Sequence, residues 1–343
     1  MKSDNTYPPR LIDHLGRRLN YLRVSVTEHC NLRCRYCYGS KRPPLPKRPP
    51  MTDDQIVAAA ELFARLGVNK VRLTGGEPLF RSSLVKLVRR ISRLPGIELV
   101  GLTTNGVLLA HNKADRNVGP PLLERLIAAG LHRINISLDS LDRENYRRIT
   151  GRDCLGKVLE AIETAQQSGA FPRVKVNTVV LRGVNDFEVR EMALWALERG
   201  IDLRFIEFMP TLGSGWDEES FVSEAETRER LALELRPDDE LPDPSATAVY
   251  YRSGAYPGRL RFISPVTRSF CSRCNRLRLT ASGELMGCLF SWNRIDISPI
   301  LNGKFGKTEK NDYIGKIIKA PDFRVLPYNK TGACKPEMIS VGG

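Results

Sequence analysis

Two groups of three cysteines are the residues whose type and spacing most clearly indicate chemistry. The first is Cys30-x3-Cys34-x2-Cys37, just after a strand-like run at residues 22–26. A structural zinc site takes four tetrahedral ligands, whereas a [4Fe-4S] cluster held by three cysteines leaves one iron free for a small molecule. The spacing therefore favours an open cluster that takes part in a reaction over a structural site.

The second group, Cys271-x2-Cys274-x13-Cys288, again supplies three thiols. A zinc site stays open as an alternative, because Cys334 could be a fourth ligand, although a second C-x2-C pair is absent. With both groups structural, the chain would be a zinc-stabilised nucleic-acid-binding module. Cys154, like Cys334, matches no ligand position and is interpreted as a structural or free thiol.

Two arginines separate the second C-x2-C pair from its third cysteine. Arg276 and Arg278 alternate with Leu277, so both guanidinium groups fall on one side if the segment is extended. Arginine binds phosphate and carboxylate in a bidentate fashion. The chain as a whole carries a net charge of +14, from 53 Lys and Arg against 39 Asp and Glu, and such an excess attracts anions. A polyanionic substrate near the second group is the interpretation. Nucleic acid, a nucleotide polyphosphate and an acidic protein partner all remain open, because net charge does not identify the anion.

Composition places the chain among ordinary globular proteins. It has 343 residues, 41% hydrophobic and 27% charged, enough for a large α/β domain with an appendage. No signal peptide and no membrane-spanning run are predicted, because apolar stretches of sufficient length are missing. Eight cysteines without a secretory signal indicate a reducing compartment, and the cytoplasm is the expected location.

Between residues 22 and 208 short β-branched runs alternate with longer amphipathic runs, which is typical of βα units and a parallel sheet. Six units are predicted. Strands are expected at 22–26, 70–74, 98–103, 133–138, 174–180 and 203–208, and helices at 53–66, capped by Thr52, 83–93, 121–129, 155–168 and 187–199. After residue 208 the alternation stops, so we expect one domain over residues 1–210 and a second region over 211–343.

The strands alternate polar and apolar residues, although strands of a sheet covered on both faces are apolar throughout. Lys70 and Arg72 alternate with Val71, and Lys175 alternates with Val176. Because successive side chains point to opposite faces, each strand presents a polar stripe away from the helices. The pattern predicts a partial (β/α)6 barrel of the TIM type with a wet, cationic interior, and ligand groups at the carboxyl ends of its strands. Thr74-Gly75-Gly76-Glu77-Pro78 lies at such an end, where the glycines permit a close approach and Glu77 could bind an amine.

The cysteine spacing, Tyr36 before Cys37 and the Gly-Gly-Glu-Pro turn resemble the radical S-adenosylmethionine superfamily. With the second cysteine group, the Arg-x-Arg segment, residues 287–290 and the terminal Gly342-Gly343, the chain resembles the GTP 3',8-cyclase family of molybdenum cofactor biosynthesis. The match covers about residues 15–290 and resumes at 338–343, while residues 296–336 do not align with the family's helical carboxyl-terminal region.

The resemblance implies two [4Fe-4S] clusters, the first of which binds and cleaves S-adenosylmethionine to give a 5'-deoxyadenosyl radical. That radical takes a hydrogen from C3' of GTP, and the sugar radical attacks C8, while the second cluster binds guanine. Implied cluster ligands are Cys30, Cys34, Cys37, Cys271, Cys274 and Cys288; the S-adenosylmethionine site is Tyr36, Gly76, Ser137 and Met209. Implied GTP contacts are Arg23, Arg72, Thr103, Lys175, Arg276, Leu277 and Arg278, with Lys70 and Arg204 as additions; Arg23, Arg276 and Arg278 are the catalytic residues.

The resemblance also implies partners. They are an electron donor such as flavodoxin or ferredoxin and a downstream cyclic pyranopterin monophosphate synthase, with a homodimer among the allowed assemblies. The Gly342-Gly343 tail is expected to enter the active site, so an extended carboxyl terminus should abolish turnover. A radical enzyme that modifies tRNA or a peptide remains the alternative.

Overall fold

A computed structural model gives the fold and describes residues 11–38, 48–110, 120–211, 214–238, 248–254, 256–291, 293–302 and 305–324. Cys334 and the Gly342-Gly343 tail lie outside these ranges, so their predicted roles remain predictions. Among the described residues no helix is long and apolar enough to cross a membrane.

Six βα units form the first two thirds of the chain, as the alternation predicted. The strands are β1 Tyr21–Ser25, β2 Lys70–Thr74, β3 Leu99–Thr104, β4 Arg133–Ser137, β5 Lys175–Val180 and β6 Asp202–Glu207. The helices are α1 Arg35–Tyr38, α2 Asp53–Arg65, α3 Leu84–Ser92, α4 Leu122–Ala128, α5 Arg143–Thr150, α6 Leu155–Gln167 and α7 Val189–Glu198.

Local sequence explains where the helices begin. Thr52 caps α2 through a capping box with Gln55, which satisfies two amide groups at the helix start. Helix α5 has no counterpart in the sequence prediction, because its charged surface leaves only a short apolar stripe. It starts at Asp142, whose side chain accepts a hydrogen bond from the Asn145 amide at 2.7 Å, and it buries Tyr146 and Ile149.

The carboxyl-terminal third adds strands to both edges of the same sheet. Its elements are α8 Glu224–Leu231, β7 Arg236–Pro237, β8 Ala248–Arg252, β9 Arg259–Ile263, β10 Arg276–Leu279, β11 Glu284–Met286, β12 Ile295–Asp296, α9 Ser298–Leu301 and α10 Lys307–Lys319. Strand β9 pairs in parallel with β6, and β10 pairs in parallel with β1. The strand order β12-β11-β10-β1-β2-β3-β4-β5-β6-β9-β8-β7 is an open sheet with two ends, so the fold is an α/β partial barrel.

Alternation along the strands produces the expected cationic interior. Arg23 of β1 pairs in register with Arg278 of β10 on one side and Arg72 of β2 on the other, so three arginines lie side by side across the sheet. Their neighbours in sequence point to the helices, where Leu22 and Leu277 are fully buried in the hydrophobic core. The Leu277 side chain therefore does not face the interior, because strand geometry sends it to the opposite face from Arg276 and Arg278.

The region that did not align with the family by sequence contains two helices, α9 and α10. Helix α10 buries Ile314 and Ile318, and Phe323 after it is also fully buried. These side chains join the hydrophobic core that contains the strands of the barrel. The Lys-rich character of this region thus belongs to the exposed face of a packed helix.

Candidate active site

The two cysteine groups lie at opposite ends of two paired strands. Cys30 follows the carboxyl end of β1, whereas Cys274 precedes the amino end of β10, which runs parallel to β1. Strand β11 is antiparallel to β10, so Cys288 after it returns to the amino end of the sheet. The five residues of β1 span about 17 Å. The expectation that ligand groups gather at the carboxyl ends is therefore correct for the first group and wrong for the second.

A cavity of about 160 Å³ lies at the carboxyl ends of the strands. Its lining includes the three thiols of the first group. It also includes the four residues predicted to contact S-adenosylmethionine: Tyr36, Gly76, Ser137 and Met209. In the part of the chain that the structure describes, Asp139 and Glu207 are the charged residues of this lining, and neither Lys nor Arg contributes to it.

The double glycine supports the first cysteine loop through its backbone. A Cβ on Gly76 would lie 2.5 Å from the His29 carbonyl oxygen, and Gly75 has a φ of +145°. The Gly76 amide donates to the Thr27 carbonyl at 2.8 Å and the Glu77 amide to the His29 carbonyl at 2.7 Å. Only glycine permits this approach. The close contact predicted for a ligand is thus made with the protein's own chain.

Glu77 organises the same region and does not line the cavity. Its carboxylate is fully buried and accepts hydrogen bonds from the Leu79 amide at 3.0 Å, the Thr104 hydroxyl at 2.7 Å and the Asn105 amide at 2.7 Å. Burial raises the pKa of Glu77 to about 7. The predicted contact between Glu77 and a bound amine is not supported, because these protein donors already surround the carboxylate.

The first three thiols are in a poorly solvated environment. Burial raises the pKa of Cys30 to about 11 and raises the pKa of Cys34 and Cys37 as well. The Tyr36 hydroxyl donates to Asp139 at 2.7 Å, which fixes the ring between the cysteines and β4. Thiolates here need a compensating positive charge, which a bound iron cluster would supply.

A second cavity of about 290 Å³ extends along the interior of the barrel to the other cysteine group. Neither Asp nor Glu belongs to its lining within the described ranges. Ten cationic side chains do: Arg17, Arg23, Lys70, Arg72, Arg133, Lys175, Arg204, Arg276, Arg278 and Arg324. The lining also contains Cys271, Cys274 and Cys288. Such a site favours a ligand with several negative charges.

Arg72 is held at the centre of this surface by its neighbours. Its Nε donates to the Tyr21 hydroxyl, and its Nη1 donates to the Leu102 carbonyl at 2.9 Å. Gly101 leaves room for the guanidinium, since a Cβ there would lie 2.9 Å from Nη2. The orientation of Arg72 is therefore fixed before a ligand arrives.

Burial and the repulsion between neighbouring cations lower the pKa values of basic side chains in this cavity. Burial and the charge of Arg204 lower the pKa of Lys175 to about 6, and burial with the charge of Arg276 lowers that of Arg278 to about 10. Burial alone would raise the pKa of Tyr21, but Arg72 and Arg23 lower it to about 8. A bound polyanion would relieve this repulsion.

The second cysteine group is exposed to these cations. Burial raises the pKa of Cys274, yet Arg276 and Arg324 outweigh burial and lower it below the usual range. Burial raises the pKa of Cys288. Arg17 and Arg324 were missed by the sequence analysis, because they lie far from the cysteines in the chain and carry no local spacing signal.

The two cavities meet. Four residues belong to both linings: Thr103, Asn177, Ile206 and Met209. Each cysteine group therefore lies at one end of the chamber that these two adjacent cavities form together. Within the described ranges no three His, Cys, Asp or Glu side chains converge on a point that would hold a single metal ion. In an iron-sulfur cube each thiolate binds a different iron, so its cysteines surround a larger volume, and three thiols bordering one cavity fit that requirement.

Of the predicted site residues within the described ranges, all except Glu77 and Leu277 line one of the two cavities. Asn135 and Asn177 also line the larger cavity, as expected from the polar stripes of their strands, and Tyr21 of β1 is a lining residue that was not predicted. Tyr250 and Arg324 reach the cavity only through the carboxyl-terminal strands and helix, and the βα pattern gives no sign of them.

Comparison with known families assigns both parts of the chain. Residues 24–196 match the Radical SAM superfamily, and residues 201–321 match the family Molybdenum Cofactor Synthesis C. The second match includes most of the region that could not be aligned from sequence alone, and it agrees with the packed helix α10.

Similar proteins extend over nearly the whole chain. A GTP 3',8-cyclase from Thermodesulfovibrio yellowstonii is 39% identical over 96% of this chain and 99% of its own length. The GTP 3',8-cyclase of Peptoclostridium acidaminophilum is 41% identical over 86% of this chain and 88% of its own. Molybdenum cofactor biosynthesis protein 1 of Mus musculus is 39% identical over 90% of this chain and 47% of its own length.

Solved structures support the fold. Streptococcus suis SuiB bound to its precursor peptide SuiA has a TM-score of 0.58 and 13% identity, over 91% of this chain and 75% of SuiB. SuiB bound to S-adenosylmethionine has a TM-score of 0.57 and 13% identity, over 90% of this chain and 72% of SuiB. At this identity the likeness concerns the fold alone. The sequence relatives and the two family matches show that this chain belongs to the GTP 3',8-cyclase family of radical S-adenosylmethionine enzymes in molybdenum cofactor biosynthesis.

Proposed function

We propose that this chain cyclises GTP to (8S)-3',8-cyclo-7,8-dihydroguanosine 5'-triphosphate in the chamber between its two cysteine groups. The observation that carries the proposal is the division of charge within the chamber. The smaller cavity is lined by Asp139 and Glu207 without a described Lys or Arg, whereas ten cations line the larger one. The first suits the cationic S-adenosylmethionine, and the second suits a nucleoside triphosphate.

At the first end, Cys30, Cys34 and Cys37 would hold a [4Fe-4S] cluster with one open iron. When bound, this cluster supplies the electron that converts S-adenosylmethionine to methionine and a 5'-deoxyadenosyl radical, which takes the hydrogen from C3' of GTP. Tyr36, Gly76, Ser137 and Met209 would hold S-adenosylmethionine beside the thiols, as they border the same cavity. The bond from Tyr36 to Asp139 keeps the tyrosine ring in place.

The cationic residues would bind and orient GTP. Arg23, Arg72 and Arg278 stand side by side in register, and this row can bind oxygens of adjacent phosphates. Thr103 lies next to this row, since Arg72 Nη1 donates to its hydroxyl at 3.4 Å. Lys175, Lys70 and Arg204 are further lining residues of the same cavity. Arg23, Arg276 and Arg278 are the proposed catalytic residues, since Arg276 and Arg278 of β10 follow Cys274 in the chain and Arg23 pairs in register with Arg278. Leu277 would contribute its backbone alone.

Cys271, Cys274 and Cys288 would hold a second [4Fe-4S] cluster whose open iron binds the guanine end of GTP. This places the base at the amino end of β10 and the ribose towards the residues shared by the two cavities, Thr103, Asn177, Ile206 and Met209. We also propose the division of the chain into a barrel over residues 1–210 and a cluster-binding region over 211–343.

Partners follow from the same proposal. An electron donor such as flavodoxin or ferredoxin would dock near the first cysteine loop, where Arg33 and Arg35 on either side of Cys34 are exposed. Their charge complements an acidic protein surface. The cyclised nucleotide would pass to cyclic pyranopterin monophosphate synthase, and nucleic acid is not a proposed partner.

Anaerobic turnover tests the function. Reconstituted protein is incubated with S-adenosylmethionine, a strong reductant and GTP, and 5'-deoxyadenosine and the cyclised nucleotide are quantified together. We expect both products in equal amounts with GTP and no cyclised product with CTP. Formation of 5'-deoxyadenosine only when tRNA or a peptide replaces GTP would overturn the proposal.

Iron and zinc analysis provides the complementary test. Two cubes require about eight iron and eight sulfide per chain. Zinc without iron would instead indicate structural sites, and the cyclase function would fail at its first requirement.

A further inference from the structure

Two buried arginines hold the backbone of the second cysteine turn. Arg17, from the segment before β1, donates from Nη1 to the carbonyl oxygen of Cys271. Arg324, from the segment after α10, donates from Nη2 to the carbonyl oxygen of Cys274 at 3.1 Å. The turn that presents both thiols is therefore fixed by residues more than two hundred and fifty positions away on one side and fifty positions away on the other.

One carboxylate ties the two arginines together. Asp13 Oδ2 lies 2.8 Å from both Nε and Nη2 of Arg17, and 3.5 Å from Nε of Arg324. Its other oxygen accepts hydrogen bonds from the amides of Leu15 at 3.0 Å and Arg17 at 2.9 Å. The Asp13 side chain is 0% exposed and that of Arg324 is 2% exposed. A buried carboxylate between two guanidinium groups fixes both of them more firmly than a surface ion pair does.

The third cysteine is coupled to the same residues through a glycine. A Cβ on Gly287, directly before Cys288, would lie 2.4 Å from Arg324 Cγ and 2.4 Å from the Phe323 carbonyl oxygen. Arg324 can therefore pack against the Cys288 strand end only because residue 287 has no side chain. All three cysteines of the second group thus contact, directly or through a neighbour, the pair of arginines that Asp13 joins.

Arg324 also has an unused donor. Its Nη1 is buried and has no hydrogen-bond partner among the described residues, although Arg324 lines the larger cavity beside Cys274 and Cys288. Leaving a buried charged donor unsatisfied is costly, so such a group indicates an acceptor that binds there.

We propose that Asp13, Arg17 and Arg324 are positioning residues for the second cysteine group, and that Nη1 of Arg324 donates a hydrogen bond to a sulfur of the cluster bound there. The inference rests on the proposed second cluster. A guanidinium beside anionic sulfur stabilises the bound cluster, while the two carbonyl contacts hold the thiols in place for it.

A chain that lacks the first cluster isolates the effect. In a Cys30→Ala, Cys34→Ala, Cys37→Ala background, the remaining cluster gives about four iron per chain and a single electron paramagnetic resonance signal after reduction. Arg324→Ala, Asp13→Asn and Arg324→Lys are compared with Arg236→Ala, whose 78% exposed side chain pairs with Glu234 on the surface.

We expect Arg324→Ala and Asp13→Asn to retain less than half of the iron of Arg236→Ala. Arg324→Lys should recover the iron but shift the signal in the absence of nucleotide, because a single ammonium replaces the forked donor. In the full chain the first cluster and the thermal unfolding temperature report whether a variant folds.

Equal iron and unchanged signals in Arg324→Ala and the Arg236→Ala control would overturn the inference. So would an Arg324→Lys variant that changes only GTP affinity, since the acceptor would then be the nucleotide. If the triple alanine background itself binds no iron, the second cluster of the proposed function is absent and both proposals fall. If that background binds the expected iron and the variants change neither the iron content nor the signal, only the positioning role is wrong.

Discussion

Each end of the chamber contains three thiols, but the electrostatic surroundings of the two ends are opposite. Around Cys30 the described lining has two carboxylates and no Lys or Arg, and burial raises the pKa of all three thiols. Around Cys274 arginines dominate and lower its pKa. Identical ligand chemistry can therefore serve a cationic cosubstrate at one end and an anionic substrate at the other. Under the proposed function, the cysteines would hold the cluster at each end, and the surrounding side chains would select the molecule that binds beside it.

Removing a cysteine from each group separately tests this difference between the two ends and should give the largest effects. Cys30→Ala removes a ligand of the first group, so we expect loss of both 5'-deoxyadenosine and cyclised GTP. Cys274→Ala removes a ligand of the second group, so S-adenosylmethionine cleavage should persist while cyclisation is lost. The two products are measured by chromatography, with Cys154→Ala as the control that keeps both. Loss of S-adenosylmethionine cleavage in both variants would contradict a division of labour.

Crowding Arg72 should weaken the anionic end alone. In Gly101→Ala the new Cβ would lie 2.9 Å from the Arg72 guanidinium, which must then move from its position. The hydrogen bond that the displaced guanidinium would lose to GTP is worth about 1–3 kcal/mol. We expect GTP affinity to fall by about fivefold to a hundredfold with binding of S-adenosylmethionine unchanged, both measured by calorimetry. Gly156→Ala is the matched control, since a Cβ there meets nothing within 4 Å. Equal GTP affinity in the two variants would show that GTP binding does not depend on the position of the Arg72 guanidinium.

The pH dependence of GTP binding should follow Lys175. Its pKa is lowered to about 6 in the ligand-free chain by burial and by Arg204, and a bound triphosphate should raise it again. Above pH 6 binding then takes up a proton, so affinity falls as pH rises, by at most about tenfold per pH unit. Below pH 6 this contribution is constant, because Lys175 is already charged.

Lys175→Gln separates this effect from the titration of GTP itself. The variant should bind more weakly at pH 6, and its affinity should fall less steeply with pH than that of the wild type. Calorimetry in two buffers of different ionisation enthalpy measures the proton uptake directly. The assignment to Lys175 is wrong if proton uptake is the same in both proteins.

The smallest expected effect concerns the first cysteine loop. Asn105 donates to Asn31 at 2.8 Å and approaches Cys30 Sγ at 3.8 Å. Asn105→Ala should remove about 1 kcal/mol of stabilisation and alter the signal of the first cluster only. Asn302→Ala, at an exposed contact with Gln55, serves as the control. A change in the second cluster's signal would show that the two ends communicate.

Local pattern was sufficient for the barrel and for most of the site. The β2 strand was predicted at its observed bounds, and helix α2 with its Thr52 cap was predicted to within one residue at its end, because capping and periodicity are local. Arg72 and Lys175 followed from strand alternation, whereas Arg23 was implied by the family resemblance. Helix α5 was not predicted, since its stability depends on burying Tyr146 and Ile149 rather than on its own charged sequence.

What the sequence by itself determined is the donor set: two groups of three cysteines, a row of alternating cations and the turn that supports the first loop. Only the tertiary structure decided that β10 pairs in parallel with β1, which puts the second group at the opposite end of the chamber. It also decided that Asp13, Arg17 and Arg324 meet behind that group. Both results depend on contacts between distant parts of the chain, and such contacts leave no local spacing to detect.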